Sequence, residues 1–290
     1  MFIGYAVRYP VHRNKALSQG LALTYISFIL LLPLGAIFLE ASKRPWGELW
    51  NLVTAPVAIE SYKLSFFAAL VAALINSVFG LILAWILVRY DFPGKRLADG
   101  LVDLPFAMPA VVAGITLASL YGSGGVVGQY FDPGTFLGNI FQLLGIKQVN
   151  LTTSVAGVIL AKVFVTLPFV VRTVQPVLME IEPEVEEVAY TLGANPWQSF
   201  WRVIFPQLLP AIITGFTLAF ARAVGEYGVV VLLSGNIPFE TMVASVYIYR
   251  RLEAYDYSGA TAVAIVLLIF SLTILVCTNL LQVWSRRYDT

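Results

Sequence analysis

Three ionisable side chains stand inside long apolar runs: Lys162, Arg222 and Glu226. A charge at mid-membrane costs at least about 2.5–3.5 kcal/mol on the insertion scale, so such residues persist where they pair, line a path or hold a structure together. Arg222 and Glu226 are four residues apart and share a helix face, which allows two readings. They form a structural ion pair, or both face a cavity where Arg222 attracts an anion and Glu226 holds or releases it. Lys162 has no partner within its own segment: it snorkels to the interface, pairs with a neighbouring subunit, or lines the same path. Asp103 reads as a helix-start residue rather than a ligand. Catalysis by metal or thiol has little to work with, because the only cysteine is Cys277 and the only histidine is His12. Neither an intrachain disulfide nor a zinc site can be built from them.

The elements that carry these groups are membrane spans. Of 290 residues 59% are hydrophobic and 12% charged, half the charge that a soluble chain carries, and the mean hydropathy is +0.81. A net charge of +1 leaves no basic field for nucleic acid. Six stretches are long enough to cross as helices: Leu21 to Leu39, Leu64 to Val88, Leu101 to Tyr121, Ser154 to Val174, Leu208 to Leu233 and Ala260 to Trp284. Barrel strands would alternate, whereas Phe66 to Leu74 is apolar on every side. Placing both termini in the cytoplasm puts Arg8, Arg13, Lys15, Arg89, Lys95, Arg96, Arg172, Arg202, Arg286 and Arg287 inside. Only Lys43, Arg44, Lys63, Lys147, Arg250 and Arg251 then lie outside, as the positive-inside rule prefers. The first span is too long for a signal-peptide core and reads as an uncleaved anchor. Pro33, Pro105, Pro109, Pro168, Pro176 and Pro210 lie in or beside spans and predict bends there. Trp46, Trp50, Tyr62 and Trp284 read as interfacial anchors, and Cys277 as a small buried apolar residue.

The most informative stretch is Glu182 to Pro206, on the inner side after the fourth span. Pro183 suits the first position of a helix, Glu184, Glu186 and Glu187 suit its positive end, and Gly193 suits its stop. Asn195 and Pro196 cap and open a second helix. Val185, Val188, Ala189 and Leu192 predict one apolar face; Trp197, Phe200, Trp201 and Ile204 predict another. Four glutamates in six residues would repel an anionic leaflet, so the first helix is expected to dock on protein rather than on lipid.

In this stretch Glu187-x-Ala189-x3-Gly193-x9-Val203-x-Phe205-Pro206 resembles the Glu-Ala-Ala-x3-Gly-x9-Ile-x-Leu-Pro loop of the membrane subunits of ABC-type importers. Val188, Val203 and Phe205 are conservative departures from it. Arg89 to Arg96, Asp103 to Gly114, Leu167 to Arg172 and Ala221 to Gly228 resemble the sulfate/thiosulfate permeases and their molybdate and tungstate relatives. Thr173 to Leu178 and Tyr255-Asp256-Tyr257 are similar to the T-type subunits of sulfate transport.

The resemblance implies an all-α integral membrane protein with six transmembrane helices and the type I ABC importer permease fold. Residues 1–60 would be a cytoplasmic segment, first helix and outer loop; 61–284 the transmembrane core with a coupling loop at 182–206; 285–290 a tail. Glu187, Ala189, Gly193, Val203 and Pro206 would couple to a separate ABC ATPase dimer. The path for sulfate would be shared with a W-type permease subunit, or with a second copy of this chain, and fed by a periplasmic or lipid-tethered sulfate-binding protein at a bacterial inner membrane. The chain has no Gly-x4-Gly-Lys-Ser/Thr loop: Gly94-Lys95 is followed by Arg96, and Gly122 to Gly125 lacks a lysine. No cofactor is expected on this chain, ATP and magnesium belonging to the partner, and it is not expected to be an enzyme. Three other readings stand beside this one: a molybdate or tungstate importer, an ion-coupled secondary transporter, which would show repeated halves that this sequence lacks, and a membrane scaffold.

Overall fold

A computed structural model describes residues 15–131, 135, 139 and 151–286, with side chains described over 18–276 of these. His12, Lys147 and the tail beyond Arg286 lie outside the described residues, as do the side chains of Cys277 and Trp284. Every regular element among the described residues is helical. Among the described residues five helices are long and apolar enough to cross a membrane: 18–41, 56–89, 155–180, 196–224 and 257–276.

The first rod is α1 (Lys15–Ile26), a π-helical turn at Ser27–Leu31, and α2 (Leu32–Ala41). Helix α3 (Trp46–Val53) then lies before α4 (Pro56–Arg89), the longest element. The third predicted span is not one helix. It is broken into α5 (Lys95–Val102), α6 (Leu104–Ala107) and α7 (Ala110–Tyr121), with the interruptions at Asp103 and at Met108-Pro109. Pro109 cannot donate to the preceding turn and forces Met108 into an extended conformation. By contrast Pro168 and Pro176 lie inside α8 (Val155–Glu180) without ending it.

After α8 come α9 (Pro183–Thr191) and α10 (Pro196–Ser199), then a π turn at Phe200–Ile204 that runs directly into α11 (Phe205–Val224). The second predicted elbow helix is therefore the base of the fifth rod, not a separate element. That rod ends at Gly225, short of the predicted Leu233, and the chain restarts as α12 (Val230–Leu233). Helix α13 (Ala244–Glu253) and the long α14 (Tyr257–Arg286) complete the molecule.

Helix α8 is the axis, with α4 and α11 packed along it. Close approach is possible because α4 turns small residues inward: Ser65, Ala68, Ala69, Ala72, Ala73, Asn76, Gly80 and Ala84 are all buried. A Cβ on Gly80 would lie 2.9 Å from the Val170 Cβ, and one on Gly215 of α11 would lie 2.8 Å from the Val170 Cα. Small residues of this kind are how membrane helices gain dispersion contact where lipid offers no hydrophobic drive. Asn76 fastens the seam by donating to the Val163 carbonyl (3.0 Å) and to Thr166 Oγ1 (2.8 Å). Two apolar clusters fill the bundle, one around Val170, Val174, Leu178 and Leu208 near the elbow, the other around Val158, Val229, Leu233 and Val246 toward the opposite end.

Candidate functional site

Local signals build the elbow. Pro183 starts α9 and Glu184 and Glu186 occupy its first turn. Gly193 stops it with φ of +86°, a left-handed conformation that a side chain resists. Asn195 Oδ1 then accepts from the Gln198 amide (2.8 Å) while Gln198 Oε1 accepts from the Asn195 amide (3.0 Å), a reciprocal cap that opens α10.

Long-range contacts hold the elbow to the bundle. Arg89, the last residue of α4, donates to the Ile181 carbonyl (3.1 Å) and pairs with Glu186 (3.1 Å), both side chains mostly buried. Its guanidinium lies 5.8 Å from the centre of the Trp85 ring, and Trp85 meets Phe200 edge-on at 5.4 Å. A cavity of about 510 Å³ opens between these groups and Tyr190. Ala189 and Ile204 are buried, Phe200, Val185 and Val203 half-buried, and Glu187, Gly193 and Pro206 exposed. Val188, Trp201, Leu192 (83% exposed) and Trp197 (70% exposed) turn outward, so part of each predicted apolar face is left open.

A second polar group joins the broken third span to α8. Arg172 clasps Asp103 through Nε (2.8 Å) and Nη2 (2.6 Å), and reaches the Asp99 carboxylate (2.7 Å) and Gln175 (2.6 Å) through Nη1. Gln175 Nε2 in turn donates to the Asp99 carboxylate (2.9 Å). Asp103 stands at the start of α6 but its side chain caps nothing there; the helix-start reading gives way to an ion pair with a different rod. The Arg172 clasp and the Arg89–Glu186 pair were both missed from sequence. The available signal for the first was an i, i+4 pair of aspartates on one face of a short helix.

The three intramembrane charges come together. Arg222 Nη1 meets Glu226 Oε2 at 2.6 Å, with the arginine side chain 45% exposed and the glutamate 2%. The other Glu226 oxygen accepts from the Val229 amide (3.0 Å) at the opening of α12. Lys162 has no exposed surface on this chain; its ammonium donates to the Ala223 carbonyl at the end of α11. The interruption at Gly225 frees carbonyls on one side and amides on the other, and a buried cation and a buried carboxylate answer them.

Bundled rods with an acidic elbow at one end and charges at a helix break define a membrane transport component. The chain belongs to the family of binding-protein-dependent transport system inner membrane components, whose pattern it matches over residues 76–287. It is 50% identical over 265 residues, 91% of each chain, to the sulfate transport system permease protein CysT of Synechococcus elongatus. It is 44% identical over 266 residues to the CysT of Escherichia coli, 92% of this chain and 91% of that one. The fold is shared with a bacterial ABC transporter involved in the import of the acidic polysaccharide alginate, at a TM-score of 0.73 and 23% identity over 96% of this chain and 97% of that one. The MetNI methionine ABC transporter shares it at a TM-score of 0.57 and 16% identity, over 83% of this chain and 99% of that chain.

Proposed function

We propose that this chain is one of two membrane subunits of an ATP-driven importer of sulfate or thiosulfate, working at a bacterial inner membrane. The observation that carries the coupling is the elbow: an acidic helix clamped to α4 by Arg89, presenting exposed Val188, Leu192 and Trp197, and continuous through α10 with a membrane-crossing rod. A separate ATPase dimer, holding ATP and magnesium, closes on that surface, with Glu187, Ala189, Gly193, Val203 and Pro206 in or beside the contact. Its closure biases the rods toward one of two arrangements, as a partner can do only through contacts that differ between states.

In this reading the interrupted α5–α7 segment is a sixth crossing. Helix α7 alone has 12 residues, about 18 Å of rise, and needs α6 to approach the ~30 Å hydrocarbon thickness. Six crossings place both termini on the elbow side, in agreement with the basic residues there. Residues 61–284 form the core, with Arg222, Glu226 and Lys162 beside a path shared with a W-type subunit. Identity of 44–50% to sulfate permeases over nine-tenths of the chain supports sulfate as the substrate and a sulfate-binding protein as its donor.

The test is transport-coupled ATP hydrolysis by the reconstituted complex. Glu187→Lys, and Gly193→Leu, should leave the protein in the membrane while abolishing substrate-stimulated hydrolysis. Undiminished stimulation in both variants would remove the elbow from the coupling path.

A further inference from the structure

Helix α11 differs from the other enclosing rod in what it shows to its surroundings. From Phe67 to Ile86 every exposed residue of α4 is apolar, as a lipid-facing surface requires. On α11 one continuous face carries Gln207, Pro210, Thr214, Leu218 and Arg222; Thr214 is half-buried and the others are exposed. An exposed guanidinium at one end of that face and exposed Gln207 at the other suit a water-filled path rather than hydrocarbon.

The charges at the top of that face have unequal roles. Arg222 is the only one of the three with substantial exposure, and its contact with Glu226 uses one arm of the guanidinium, leaving N–H groups on the other. Glu226 is fixed by the Val229 amide and cannot follow Arg222 outward. When the arginine moves toward a ligand, the carboxylate keeps the Val229 amide as its donor.

We infer that Arg222 is the residue of this chain that contacts a tetrahedral oxyanion within the membrane, and that Glu226 holds it between passages. The inference rests on the sulfate importer reading. Between passages Glu226 holds the guanidinium; a doubly charged oxyanion, with four acceptor oxygens, displaces it.

The complete transporter in proteoliposomes, with internal ATP and radiolabelled sulfate delivered by its binding protein, tests this. Arg222→Gln should lower initial uptake at least tenfold and Arg222→Lys by no more than about threefold. Leu218→Glu, on the exposed face and clear of the buried charges, should block uptake at least tenfold where Leu218→Gln does not, which keeps the test decisive should the Arg222 variants fail to assemble. Uptake within twofold of wild type in Arg222→Gln, or equal uptake in Leu218→Glu and Leu218→Gln, overturns the oxyanion contact. Wild-type protein that moves no sulfate overturns the importer reading and this inference with it.

Discussion

Arg89 offers a direct measure of how firmly the elbow is tied to the bundle. Its guanidinium serves both the Ile181 carbonyl and the Glu186 carboxylate at 3.1 Å, and both side chains are more than four-fifths buried. Replacing it with Met keeps the stem that packs by Trp85 and removes the charge. Hydrogen bonds to charged groups contribute about 1.5–3 kcal/mol each. Leaving a fully buried partner charge bare costs about 3–5 kcal/mol, and residual solvent at Glu186 reduces that figure. A loss of about 2–3 kcal/mol in elbow docking is expected, shifting the docked population by roughly 30- to 150-fold. Much of it reflects the stranded carboxylate, so Glu186→Gln in the Arg89→Met background should return about 1 kcal/mol or more. The assay is a double-mutant cycle on detergent-purified protein, reading the rate of limited proteolysis across residues 181–195 together with the thermal midpoint. A coupling energy below about 0.3 kcal/mol, the additivity expected of independent sites, would refute the clamp.

Two further predictions concern the frame. Gly80→Leu should lower the thermal midpoint by an overpacking cost of about 1–3 kcal/mol, because its Cβ would meet Val170 at 2.9 Å, while Gly35→Leu, which meets nothing within 4 Å, should not. At the opposite end from the elbow, burial raises the Asp256 pKa, but Arg251, the Gly259 amide and Arg44 outweigh it and hold the carboxyl below its ordinary value. A depressed folded-state pKa stabilises above the unfolded value, near 3.9, and is lost as pH falls through the folded one. Asp256→Asn should therefore cost about 1–2 kcal/mol at pH 7, with the gap to wild type closing below about pH 4 in thermal melts; a constant gap would refute the linkage.

Sequence alone resolved what depends on neighbours in the chain. Pro183, Gly193, Asn195 and Pro196 specify starts and stops within a few residues of themselves: α9 begins and ends, and α10 begins, where those residues direct, while the expected end of the second helix is absent because it runs on into α11. The i, i+4 spacing of Arg222 and Glu226 likewise gave their pairing. Partnerships across rods were not legible: Lys162 with the Ala223 carbonyl spans 61 positions, Arg172 with Asp103 spans 69, and Arg89 with Ile181 spans 92. Hydropathy also cannot see an interruption inside an apolar run. The break at Met108-Pro109 lies in an apolar run, and only backbone chemistry marks it.

The π turn at Phe200–Ile204 joins α10 to α11 without a hinge loop, so the elbow tip and Arg222 ride on one beam of 29 residues from 196 to 224. From Trp197 to Arg222 that beam is about 38 Å long. A tilt of about 5° about its base would swing the far end by roughly 3 Å. Leverage of this kind turns a slight adjustment at the water-facing edge into a displacement deep in the bilayer.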